Sequence, residues 1–300
     1  MNSILYTITV FIWGSTWLAI SYQLGDTPVV VSVAWRFGLA SIILFSILIF
    51  RNALPKLSIE NHKIAALLGL CLFSNNFLCF YAATQYLPSG LNAVVFSLAP
   101  ILNALNLWVL ESHRPSGPFL QGALMGFIGV VLLFVSQFLG TEMDWTILLG
   151  LLLSFVGTCL FSVGNMVSAQ AQKKKMPLLP TTAWAMGYGS VYLFAIALMF
   201  GLPLGITMTP MYLSALAYLA IIGSVIGFNT YLALVGRIGA AKAAYCTVLF
   251  PLVALSLSTL FESYEWTWLS AFGVTLVLAG NLRVFGIPEP IKRWYNANLT

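Results

Sequence analysis

The sequence predicts an all-α integral membrane protein whose ten transmembrane helices form two inverted five-helix repeats. Three observations carry that expectation. Charged residues make up only 7% of the 300 and apolar residues 60%, against about 25% charged in a soluble domain. Twelve of the thirteen lysines and arginines fall in alternate gaps between apolar stretches. The chain also matches itself, without gaps, at an offset of 151 residues.

A spanning helix needs about 20 apolar residues, and ten stretches qualify. The first, 3–23, lacks a basic leader and a small-x-small cleavage site, so it reads as a span and not a cleavable signal. A gap holding Asp26 leads to the second, 29–50, which carries Arg36 within it. Arg51, Lys56 and Lys63 fill the gap 51–63 before the third span, 64–82. The fourth, 87–109, follows a gap without cations, and Arg114 lies between it and the fifth, 119–138. Glu142 and Asp144 precede the sixth, 146–168, and Lys173, Lys174 and Lys175 precede the seventh, 181–200. The eighth, 211–233, ends at Arg237 and Lys242, where the ninth, 239–260, begins. Glu262 and Glu265 introduce the tenth, 265–286, and Arg283, Lys292 and Arg293 close the chain.

Lys and Arg are retained in cytoplasmic loops during insertion. The alternation therefore places both termini in the cytoplasm of a multi-pass plasma (inner) membrane protein. The net charge of +5 then reflects orientation and contact with the anionic lipid bilayer; no nucleic-acid partner is implied. Cys71, Cys79, Cys159 and Cys246 form no CxxC pair and read as small packing residues.

At the 151-residue offset Ala93 meets Ala244, Leu98 meets Leu249 and Pro100 meets Pro251. Glu111-Ser112 then meets Glu262-Ser263, Gly122 meets Gly273, and Gly129 meets Gly280. Shared Leu or Ala is cheap in this composition; shared Pro, Glu, Ser and two Gly are not. The division expected is 1–140 and 141–300. Five spans per unit is an odd number, so the second unit enters the membrane upside down. Inverted repeats of this kind are the architecture of alternating-access carriers, with the site near the midplane.

Trp13-Gly14-Ser15-Thr16-Trp17, then Pro28 and Arg36-Phe37, resemble the start of EamA-type proteins of the drug/metabolite transporter (DMT) superfamily. The run from Asn92 through Pro100 to Glu111, Gln121-Gly122 and Gly129 resembles that family's half-repeat signature, recurring more weakly through Ala244, Pro251, Glu262, Gly273 and Gly280. The resemblance implies ten helices in two inverted halves and export or exchange of small metabolites such as amino acids or their derivatives. Lys242 departs from the small residues more usual at the start of the ninth span.

Candidate substrate-binding residues follow from polar and aromatic groups inside the spans. Pro100 and Pro251 interrupt helices at matched positions, freeing carbonyls that shape a central cavity or merely bending packed rods. Among the intramembrane amides, Asn76, Asn92, Asn103, Asn165 and Asn229 are either interhelical glue or ligand contacts. Asn92, Phe96 and Asn103, at spacings of 4 and 7, share a helix face that is the expected cavity wall of the first half. Tyr245 and Thr247, just before Pro251, are its counterparts in the second half. Trp13, Ser15, Trp17, Tyr81, Trp184 and Phe228, like Trp35 and Phe80, sit deep or beside polar groups and either line that cavity or pack. Trp145, Trp266, Trp268 and Trp294 at span ends fit interfacial belts. Arg36 lies about 10 Å deep at 1.5 Å per residue. It either snorkels outward or meets Asp26, or it faces the interior and holds a substrate carboxylate. The resemblance favours the structural role.

Absences narrow the function. No carboxylate sits at a span centre to relay protons, and the only histidines, His62 and His113, fall in cytoplasmic gaps. No metal, cofactor or ATP-binding glycine loop is expected, and the protein is not expected to be an enzyme. The partner is a small-molecule substrate. The GxxxG pairs Gly122–Gly126 and Gly223–Gly227 favour packing within one protomer and leave a homodimer open. A channel or non-transporting membrane partner is the alternative, with a lipid-modifying enzyme built on Glu111, His113 and Arg114 behind it.

Overall fold

The computed structural model describes residues 2–111, 117–136 and 145–285, and among these every regular element is a helix. His113, Arg114, Glu142, Asp144, Lys292, Arg293 and Trp294 lie outside the described residues, as do the side chains of Glu111, Lys242 and Tyr245. In chain order the helices are α1 Asn2–Ser21, α2 Val29–Phe50 and α3 Ile59–Thr84. Next come α4, in two pieces Ser89–Phe96 and Ala99–Glu111, and α5 Gly117–Ser136. They are followed by α6 Trp145–Lys173, α7 Leu178–Met199 and α8 Pro210–Ile238. The last two are α9, broken into Ala240–Ala244, Tyr245–Val248 and Phe250–Phe261, and α10 Trp268–Phe285. Among the described residues seven helices are long and apolar enough to cross a membrane, while Gly117–Leu133, Phe250–Phe261 and Trp268–Gly280 are shorter apolar stretches.

Local chemistry sets the starts. Pro28, Pro88 and Pro177 stand just before α2, α4 and α7, where a fixed φ and a missing N–H are harmless. Ser58 and Thr209 cap α3 and α8 by accepting from the Asn61 and Tyr212 N–H groups. The ends differ from hydropathy. α6 runs on to Lys173, past the expected 168, because a helix need not stop where the bilayer does and Ser168, Gln170 and Gln172 tolerate the α conformation.

Among the described residues four helices are interrupted, and the interruptions pair up. α3 contains a π-helical turn at Cys71–Asn75 and α8 one at Leu219–Ile226. Moving the first by 151 residues gives 222–226, inside the second. In each, a serine hydroxyl donates to the carbonyl five residues back, Ser74 to Gly69 and Ser224 to Leu219. α4 breaks at Ser97–Leu98, and the same shift lands on 248–249, where α9 passes from a 3₁₀ turn back to α. Pro100 and Pro251 do not kink continuous rods. Each lies in the first turn of the helix after the break, where its missing N–H removes no bond.

The packing is antiparallel between matched helices. A Cβ at Gly129 would sit 2.6 Å from the Gly273 carbonyl, and one at Gly280 would sit 2.5 Å from that of Gly122. α5 and α10 thus touch backbone to backbone. α2 and α7 are tied by Ser190 donating to the Ala34 carbonyl and Ser41 to that of Ala183, both at 2.8 Å. α1 packs on α8 and α9 as α6 packs on α3 and α4. The core is largely aromatic at the centre, while outward side chains such as Ile42, Phe127, Phe155 and Val191 are exposed and apolar. That distribution suits a lipid surround in place of water. Trp145, Trp266 and Trp268 are exposed at helix ends.

Candidate functional site

A cavity of about 30 Å³ opens where the interrupted helices meet α1 and α2. That is room for about two waters. α1 supplies one helix face, Trp13, Thr16, Trp17 and Ile20, at spacings of three and four residues. Arg36 comes from α2, and Asn76, Phe77 and Phe80 from the segment following the α3 π turn. Phe96 at the α4 break, Phe161, Phe228 and Phe250 complete the wall. The rings interlock: Trp17 is 5.3 Å from Phe80 and 5.4 Å from Phe96, and Trp13 is 4.6 Å from Phe228. Trp13 is fixed by donating from Nε1 to the Gly223 carbonyl of the α8 π turn, at 3.1 Å.

Arg36 is the centre of charge. It is 1% exposed, so it neither snorkels nor reaches the exposed Asp26. Its Nε donates to Ser224 Oγ at 3.1 Å and its Nη1 to the Tyr81 hydroxyl at 3.4 Å; Tyr81 in turn donates to Gln23 Oε1 at 2.7 Å. The guanidinium carbon stands 4.4 Å from the centre of the Phe77 ring, within cation–π range. No carboxylate meets it: among the described residues the one ion pair is Lys63–Glu60, on the surface.

The structure brings Trp13, Trp17, Arg36, Asn76, Phe96 and Phe228 to this cavity, with Tyr81 directly behind. The other candidates lie elsewhere. Asn92 donates to the Phe80 carbonyl and Thr84 and accepts from Ser154, joining α4 to α3 and α6. Asn103 donates to the Ala240 carbonyl and accepts from Asn165. Asn92, Phe96 and Asn103 do not form one wall, because the break at Ser97–Leu98 interrupts the helical period between them. Ser15 meets Tyr218 on another face of α1, and Asn229 donates to its own helix at Val225. Trp184 stacks with Tyr188 and packs on His62 and Phe45, well away from the cavity. Thr247 is buried off the cavity, and Pro100 and Pro251 are buried at their breaks. Tyr245 is covered only as backbone. Both GxxxG pairs are consumed inside the chain, Gly126 against Leu98 and Gly227 against Trp13.

Sequence reasoning missed Thr16, Ile20, Phe77, Phe161 and Phe250. The α1 pair was findable, since 16 and 20 complete the stripe begun by 13 and 17. The phenylalanines carry no mark distinguishing a cavity wall from packing.

At the far end of α4 from Ala240, Glu262 Oε2 accepts from the Ser89 N–H and hydroxyl and from Ser258, at 3.1, 2.7 and 2.6 Å. This carboxylate at a helix N-terminus clasps the first piece of α4 to the last of α9.

The model of the EamA-like transporter family matches residues 2–135 and 148–285. The chain is 26% identical over 281 residues to "Uncharacterized transporter YyaM" of Bacillus subtilis, covering 91% of this chain and 90% of that one. It is 27% identical over 281 residues to "Uncharacterized inner membrane transporter YedA" of Escherichia coli K12, covering 90% and 88%. With the "Probable amino-acid metabolite efflux pump" of the same organism it shares 22% over 307 residues, covering 99% and 97%. A solved crystal structure at 18% identity shares the fold, with a TM-score of 0.66 over 95% of this chain and 96% of that one.

Proposed function

Because the chain belongs to the EamA-like transporter family, and is thus a multi-pass membrane transporter, we propose that it is a secondary carrier of small organic solutes working by alternating access. The solutes are amino acids or their derivatives, in keeping with the efflux pump among its relatives, and the direction is export or exchange. Its place is the inner membrane, as for its E. coli relative, with both termini cytoplasmic.

One observation carries this reading. The π turns of α3 and α8 and the breaks of α4 and α9 stand at repeat-related positions around a single central cavity. Interrupted helices at a midplane site between two inverted halves are what rocking of one half against the other requires. The reciprocal contacts of Gly122 with Gly280 and Gly129 with Gly273 support inversion: residue i meets the copy of j, and j meets the copy of i, the mark of a two-fold axis. The first half would be 1–140 and the second 141–300. The small cavity supports a conformation that must open to admit solute.

The test is counterflow. Purified protein in liposomes preloaded with unlabelled amino acids or their derivatives should take up the matching labelled solute faster than empty liposomes do. Uptake that ignores preloading for every member of the panel would mean a channel or a non-transporting protein.

A further inference from the structure

The central cavity holds more hydrogen-bonding capacity than its own walls use, and that capacity surrounds one cation. Arg36 spends Nε on Ser224 and Nη1 on Tyr81, both neutral partners. Asn76, 0% exposed, has no protein partner for either its amide nitrogen or its oxygen. Trp17, 5% exposed, has none for Nε1. All three residues line the same small space. A buried polar group left unsatisfied costs about 1–3 kcal/mol, and a buried charge without a counter-charge costs more. A guanidinium serving only to tie helices together would be held more cheaply by a carboxylate, and no described residue supplies one. Apart from Thr16 and Ile20 the rest of the wall is aromatic, offering flat apolar faces and no acid.

We propose that this cavity binds a small carboxylate carrying a flat apolar body. The proposal rests on the central cavity being the solute site and narrows the solute class. The carboxylate meets the Arg36 guanidinium, whose planar fork suits it, and takes further hydrogen bonds from the Trp17 indole and Asn76 amide. Once the cavity, now roomy enough for about two waters, has opened, the apolar body lies against the rings of Trp13, Phe80 and Phe161. A ligand ammonium would find ring faces and the neutral Asn76 and Thr16 oxygens but no carboxylate in the lining, so a monoanion fits better than a zwitterion.

Isothermal titration calorimetry on the full-length protein in detergent tests this without requiring transport. The ligands are benzoate, its near-isosteres benzamide and benzylammonium, and L-phenylalanine. Benzoate should bind about tenfold or more tightly than the other three, as a charge-assisted contact implies. Arg36→Gln should erase the preference for benzoate over benzamide, and Arg36→Lys should restore part of it. Trp17→Phe keeps the ring and the cation, and covers the case of a misfolded Arg36 variant. It should weaken benzoate about fivefold relative to benzamide, whose carbonyl also accepts from the indole but without charge. Equal binding of benzoate and benzamide overturns the proposal, as does tightest binding by L-phenylalanine, an unchanged preference in Trp17→Phe or a preference surviving Arg36→Gln. If benzoate binds as expected and no solute shows counterflow, the site stands and the carrier reading fails.

Discussion

At the residue scale, partners decide what each polar group is for. Asn92 and Asn103 have theirs in neighbouring helices, so they hold the bundle; Arg36 and Asn76 face space. The chain Arg36–Tyr81–Gln23 fixes the guanidinium from behind. Tyr81→Phe removes an acceptor from Arg36 and a donor from Gln23. It should cost about 1–3 kcal/mol, read as a lower melting temperature in detergent with the protein still folded. Glu262 is a different case. Its Oε2 takes three hydrogen bonds, so Glu262→Ala should destabilise more than Glu262→Gln, which keeps an acceptor; a melting temperature unchanged from wild type in Glu262→Ala would show that the clasp contributes nothing. The residues lining the cavity include no carboxylate, so flux should follow the solute gradient, or couple to protons only through Glu111 or Glu262. A strong pH-gradient-driven flux that survives Gln at both positions would refute that account of coupling.

At the element scale, association in lipid comes from close packing, since lipid tails are as apolar as the helices themselves. Gly129 and Gly273 let α5 and α10 touch. Gly129→Leu would drive a side chain into the Gly273 backbone and should cost about 1–3 kcal/mol or more. Gly205→Leu, at a position with nothing within 4 Å, should leave the melting temperature unchanged. These contacts also show what a sequence can and cannot reveal. Span positions were legible because hydropathy and cations are written residue by residue, and α2 falls on 29–50 as read. The matched glycines were legible as a repeat, though not as a contact. The π turns at Cys71 and Leu219 leave no trace in hydropathy, since one extra residue per turn changes no composition. The break at Ser97 was read only as a proline kink. With the helical period lost there, the supposed Asn92–Phe96–Asn103 face dissolved, and the wall came instead from phenylalanines indistinguishable from core.

At the scale of the whole molecule, the number of crossings and the orientation of each half are one question. Lys56, Lys174, Asp26 and Met208 are all exposed, so a cysteine at any of them is sterically open and its labelling reports sidedness. In a background lacking Cys71, Cys79, Cys159 and Cys246, Lys56→Cys and Lys174→Cys should resist an impermeant thiol reagent in intact cells. Asp26→Cys and Met208→Cys should react. The informative site is Lys174. Reaching it from Lys56 takes four crossings, α3 to α6, and α5 is among the shorter apolar helices. If α5 lay along the membrane instead of crossing it, α6 would run the other way and Lys173–Lys175 would face outward. Protection at Lys174 therefore establishes that α5 spans, that the first half holds an odd number of helices, and that α6 begins its half from the opposite side to α1. Labelling there would leave the two halves parallel, and the antiparallel glycine contacts of α5 with α10 would then need a different explanation.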